Sequence, residues 1–66
     1  MQPFQQRVID ERSELDQKIK ALDAFTHGEI YKTLPPPEKA DMAAQLHTMR
    51  TYSYLLASRI ARFTSP

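Results

Sequence analysis

Three arginines and a tyrosine are the residues of this chain best equipped to do chemistry. Tyr52, Arg59 and Arg62 recur at helical spacing in the C-terminal half, and Arg12 interrupts an apolar stripe in the N-terminal half. A guanidinium presents a planar fork that grips a phosphate through two parallel hydrogen bonds, and a neighbouring aromatic ring offers a face on which a base can stack. The combination suits a phosphorylated nucleotide. Acid–base catalysis is the other chemistry to weigh, because Asp10, Glu11, Glu14 and Asp16 cluster. That cluster is better read as a solvated helix face, since Glu14 precedes Lys18 by four residues and Asp16 precedes Lys20 by four, the spacing of helical ion pairs. No nucleophile elbow, phosphate-cradling glycine loop or metal-ligand spacing is present. The chain contains no cysteine, His27 sits beside the one glycine at a helix end, and His47 falls off the apolar stripe. The expectation is a protein that is not an enzyme and has no metal and no cofactor.

The elements that must carry these residues follow from the breakers. Gly28 and the run Pro35-Pro36-Pro37 are the strong ones after Pro3, and they leave two long segments. In the first, Val8, Leu15, Ile19 and Leu22 form a stripe with Arg12 at the missing position, flanked by Phe4, Ile9 and Phe25. In the second, Met42, Leu46, Met49, Ser53, Leu56, Ile60 and Phe63 alternate steps of four and three, the signature of a helix–helix seam. The spacing predicts one helix over about 4–26, closed by Gly28 in the left-handed conformation, and another over about 37–63 with Pro37 in its first turn and Glu38 and Asp41 at its positive end. Residues 27–36 are read as a capping loop in which Ile30, Tyr31 and Leu34 fold over the closed end. The predicted fold class is all-α, an antiparallel two-helix hairpin comprising residues 1–66 as one domain.

Such a hairpin cannot hide much of itself. A chain of 66 residues buries only about 60% of the surface its unfolded form exposes, and neither disulfides nor a thiolate zinc site can help. Assembly into a helical homo-oligomer is the remaining device. A second face of the C-terminal helix, carrying Thr48, Tyr52, Leu55, Arg59 and Arg62, is the surface expected to meet another copy, a ligand, or both at a subunit junction. Arg12 and Ser53 fall at similar depth along the seam, which fits either a polar layer that sets register or a guanidinium held ready for an anion.

Charge narrows the partners. Nine Lys and Arg against eight Asp and Glu give a net charge of +1, so no whole-molecule field draws the protein to a nucleic-acid polymer or an anionic membrane. No apolar stretch reaches membrane-spanning length and the N-terminus lacks a secretory pattern, so a cytoplasmic location is expected.

The order Gln6-Arg7-Val8, Glu11, Glu14-Leu15, Lys18-Ile19, Leu22, Phe25, then Gln45-Leu46, Met49, Tyr52, Leu55, Arg59-Ile60 resembles a family of very small phage-encoded hairpin proteins, with the triple proline as a departure. These are similar in size and architecture to anti-defence sponges that counter CBASS or Thoeris immunity. The resemblance implies a homo-oligomer in the host cytoplasm that sequesters a cyclic oligonucleotide or an ADP-ribose derivative at subunit junctions without cleaving it. The candidate ligand-binding residues are Tyr52, Arg59 and Arg62 on the second face, with Phe4, Arg7 and Arg12 of the first helix as the alternative location near the open end. Lys39, on no obvious shared face, is expected to stand apart. The competing reading is a structural or protein-interaction module with no small-molecule ligand.

Overall fold

The computed structural model describes residues 1–63 of the chain. It contains three helices: α1, Pro3–Thr26; α2, Glu29–Lys32; and α3, Pro36–Ala61. The described residues are helical with no strand, and α1 and α3 pack antiparallel into a rod of 50 × 14 × 14 Å. Side-chain contacts between α1 and α3 at the open end, the middle and towards the closed end fix the antiparallel register. Phe4 meets Phe63 edge-on at the open end, Asp16 meets Ser53 near the middle, and Asp23 meets Arg50 towards the closed end.

Helix α1 begins where its local chemistry says it can. Pro3 occupies the first turn, where a missing N–H costs nothing, and the Gln2 backbone N–H donates to Oε1 of Gln5 at 2.8 Å, so an otherwise orphaned donor is satisfied. Its far end differs from the sequence expectation. Gly28 is not left-handed. His27 caps α1 with right-handed geometry, its N–H donating to the Ala24 carbonyl, and Gly28 is extended at φ −91°, ψ 172° as the residue preceding α2. Two short-range backbone bonds, His27 N–H to Ala24 O at 3.1 Å and Gly28 N–H to Phe25 O at 3.0 Å, tighten the last turn enough to end the helix without a positive φ.

The link between the long helices contains one real turn, α2, and it is pinned by Tyr31. That ring packs edge-on against Phe25 with centroids 6.4 Å apart, and its hydroxyl donates to the Lys39 carbonyl at 3.1 Å, tying the link to the first turns of α3. Tyr31 and Leu34 are half-buried as expected of a cap, whereas Ile30 points outward and stays exposed. In a four-residue helix, only one side can face the hairpin, and the step from Ile30 to Tyr31 turns the former away. Lys39 also departs from expectation, because its ammonium lies 5.9 Å from the centre of the Tyr31 ring and belongs to the closed end. Helix α3 starts at Pro36, one residue before the expected Pro37, and ends at Ala61, with Arg62 and Phe63 in a closing turn.

The core is one residue wide. Val8, Leu46 and Leu56 are buried, Leu56 completely, and Leu15, Ile19, Leu22, Met42, Met49 and Ile60 line the same seam half-buried. Ser53 is the one polar residue buried among the described residues. No helix among them is long and apolar enough to cross a membrane.

Candidate functional site

The polar layer of the seam is built differently from the simple Arg12–Ser53 pairing that depth alone suggests. The Ser53 hydroxyl donates to Oδ1 of Asp16 at 2.5 Å, and Arg12 Nε lies 3.7 Å from Oδ2 of the same carboxylate. Asp16 therefore bridges the two, and its expected helical pairing with Lys20 gives way to Arg12, four residues in the other direction. A bonded and charge-compensated carboxylate at the helix interface is cheaper than one paired in water and facing an unmatched serine. Arg12 Nε is itself shut off from solvent and has no hydrogen-bond partner among the described residues. Beside it opens a shallow groove of about 360 Å³, lined by Ile9, Arg12, Ser13, Asp16 and Ile60.

Tyr52 lies on the opposite edge of the hairpin. Its hydroxyl donates to the Glu11 carboxylate, and Glu11 stands about 140° around α1 from Asp16, given 100° per residue. Accepting that bond, Glu11 holds the Tyr52 phenol above its ordinary value; partial burial and the carboxylate's charge add to the rise, and the positive charge of Arg59 opposes it. Arg59 is thus within electrostatic reach of Tyr52, two turns along the same face of α3. Arg62 continues that face and donates from Nη1 to the Ser58 hydroxyl at 3.1 Å.

The register shows which candidates share a neighbourhood. On α1, Arg7 lies one turn from Glu11 toward the open end, and Phe4 one turn further, where its ring meets Phe63 at 6.0 Å. Arg7, Arg59 and Arg62 thereby fall on one edge near the open end, with Phe4 and Tyr52 at its two limits. Arg12 is not among them: it belongs to the groove on the other edge. Neither the Arg7 nor the Arg59 guanidinium has a hydrogen-bond or ion-pair partner among the described residues. The groove and the edge also differ electrically, since a phosphate brought to Arg12 would face the Asp16 carboxylate that already occupies that guanidinium's flank, whereas Arg7 and Arg59 make no ion pair among the described residues.

Several members of these sites escape sequence reasoning. Asp16 and Glu11 look like surface carboxylates until register is known, and Ile9, Ser13 and Ile60 show no sign in the sequence that they would frame a groove. No group of histidines and carboxylates among the described residues could hold a metal ion.

Fold and site together define a small helical-hairpin protein with a basic, aromatic edge beside an uncovered helix face. By its sequence, the chain belongs to the Sequestin family, whose model matches residues 2–62. No curated protein and no solved structure matches it.

Proposed function

We propose that this protein works by stoichiometric capture: it sequesters a small phosphorylated nucleotide, held where copies of the hairpin meet, and does not cleave it. The setting in which such capture is useful is phage defence evasion in the host cytoplasm, with a cyclic oligonucleotide or an ADP-ribose derivative as the immune signal withdrawn. The observation that carries this reading is the edge on which Arg7, Arg59 and Arg62 converge beside Phe4 and Tyr52. Three guanidinium groups supply more positive charge than Glu11 cancels, and planar forks beside rings recognise a phosphate and a base together. The family name, Sequestin, denotes sequestration and points the same way.

Native mass spectrometry with a panel of cyclic dinucleotides, trinucleotides and cyclic ADP-ribose isomers tests this reading, because it reports subunit number and bound ligand at once. Against the best ligand, Arg59→Ala, Arg62→Ala and Tyr52→Ala each weaken binding by more than tenfold in calorimetry, equivalent to about 1.4 kcal/mol, with assembly checked by gel filtration. Lys20→Ala, exposed on the half of α1 nearer the closed end, is the control and changes little. If the three variants stay assembled and bind as tightly as the parent, the ligand site moves to the Arg12 groove. An oligomer that takes up nothing from the panel favours the competing reading, a protein-interaction module, for which the 75% exposed Tyr54 and the 54% exposed Leu55 provide the contact surface.

A further inference from the structure

Helix α3 carries a second stripe that the hairpin leaves uncovered, and its charges are arranged end to end. Beginning at Glu38 and Asp41 and ending at Arg59 and Arg62, it advances in steps of three and four, as the hairpin seam does, but about a quarter turn around the helix. Tyr52 and Leu55 lie within it, 41% and 54% exposed, with Gln45 and Thr48 between them and the acidic end. All of these positions are exposed. Among the described residues, the side chains of Glu38, Asp41 and Arg59 make no ion pair within their own chain.

We infer that this stripe is a self-pairing surface: two copies join through α3 packed antiparallel on α3, with the two-fold axis level with Arg50. Folding the stripe about that level sets Glu38 opposite Arg62 of the second copy and Asp41 opposite its Arg59. It also sets Thr48 opposite Tyr52 and Gln45 opposite Leu55, so each of these pairs occurs twice by symmetry. Arg50 does not obstruct the axis, because its guanidinium turns to Asp23 at 3.0 Å on another side of α3. The occupant is a second copy and not an unrelated protein because the acidic and basic ends are equidistant from the centre, a match that an identical chain meets automatically. Parallel pairing is excluded by the same pattern, since it would place Arg59 and Arg62 against their own counterparts, and flanking charges decide helix orientation in coiled coils. The outer pairs lie about 36 Å apart along α3 at 1.5 Å per residue, which gives them leverage over alignment, while Tyr52 and Leu55 supply the apolar contact near the middle.

This pairing stands without any ligand. Because Arg59 and Arg62 serve both here and in nucleotide capture, it is tested on nucleotide-free protein, so its failure and the failure of capture are read separately. Two charge-reversed chains are made, one E38R/D41R and the other R59E/R62E. Each alone sets like charge against like at both ends of the pair, and sedimentation equilibrium is expected to show its dissociation constant raised at least tenfold over the parent. Mixed in equal amounts, they meet with every outer pair matched, and a one-to-one heterodimer forms with parent-like affinity. Should either chain lose its helix alone, recovery of the helical circular dichroism signal on mixing reads out the same pairing. The inference is overturned if the parent is monomeric, if either reversed chain self-associates as tightly as the parent, or if mixing restores neither association nor helix.

Discussion

Two stripes run along α3 with the same spacing, and they meet opposite fates. The inner one, through Leu46, Ser53 and Leu56, is closed off by α1, and Leu56 is fully removed from solvent. The outer one, through Tyr52 and Leu55, stays exposed, with the Tyr52 hydroxyl alone reaching back to α1 at Glu11. Spacing is therefore common to both and cannot be what separates them. Composition does: the inner stripe is apolar apart from Ser53, whereas the outer one keeps apolar groups only at its middle and charges at its ends. A helix with two such seams is a component. One seam makes the hairpin, and the other is free to make what the hairpin belongs to.

The sharpest way to break this comparison is to truncate neighbouring leucines. Leu56→Ala should cost about 2 to 5 kcal/mol of folding stability, the range for a fully buried leucine. Leu55→Ala, one residue along, should leave the stability of the isolated hairpin nearly unchanged and act through the concentration dependence of melting. Equal losses from both in urea unfolding at low protein concentration would mean the two stripes are not distinct.

A smaller effect tests the polar layer of the inner seam. Ser53→Ala removes the donor to Asp16 and should destabilise by about 1 kcal/mol, the size of an ordinary hydrogen bond and below that of one to a charged group, because Asp16 is half-exposed and water can replace the hydroxyl. Chemical denaturation measures it; a stabilisation would show that the serine is tolerated there and not used.

The smallest effect concerns the edge that borders the outer stripe. With the phenol of Tyr52 raised from its ordinary value of about 10, the folded chain favours the neutral hydroxyl more than the unfolded chain does. The stability it contributes is complete below that pH and is lost as pH climbs through the raised value. Ultraviolet titration should show Tyr52 ionising late in the folded protein, and Tyr52→Phe should delete that late step. A late step that survives the substitution would assign it elsewhere and remove the Glu11 bond from the account.

Much of the architecture was legible because a seam repeats. Seven residues from Met42 to Phe63 announce one helix face by spacing alone, and the breakers at Gly28 and Pro35 to Pro37 bound the segments on either side. What stayed hidden depends on register or on a single dihedral angle. Asp16 has a basic residue four positions away in each direction, so the local rule could not choose between Arg12 and Lys20; only the arrival of Ser53 from the other helix decides it. Gly28 is permissive, and permissiveness does not say which conformation is taken. Ile30 and Tyr31 are both large and apolar enough to serve as a cap, and the side each faces is set by where α2 starts. Sequence position groups Arg12 with Phe4 and Arg7 near the open end, and the hairpin puts it in the groove on the far edge. The sequence places Arg7 near the open end, but that it shares an edge with Arg59 and Arg62 while Arg12 does not depends on how the helices are rotated about the seam, which the Glu11–Tyr52 and Asp16–Ser53 bonds fix.

The closed end is held by the Tyr31 hydroxyl bond to Lys39 and by a ring contact with Phe25, while the open end is held by the Phe4–Phe63 ring contact. Mechanically, Tyr31 is placed as the pivot of a pair of tweezers whose arms are α1 and α3 and whose opening the bonds of Asp16 to Ser53 and Asp23 to Arg50 resist. An arm the length of α3, 26 residues or about 39 Å at 1.5 Å per residue, turns a rotation of about 2° at that pivot into roughly 1.4 Å at the tip. Displacement grows linearly along the arms, so the open end, where Phe4 and Phe63 meet and Arg7, Arg59 and Arg62 lie close by, would travel furthest, and a substitution at Tyr31 would be felt there without touching any of them.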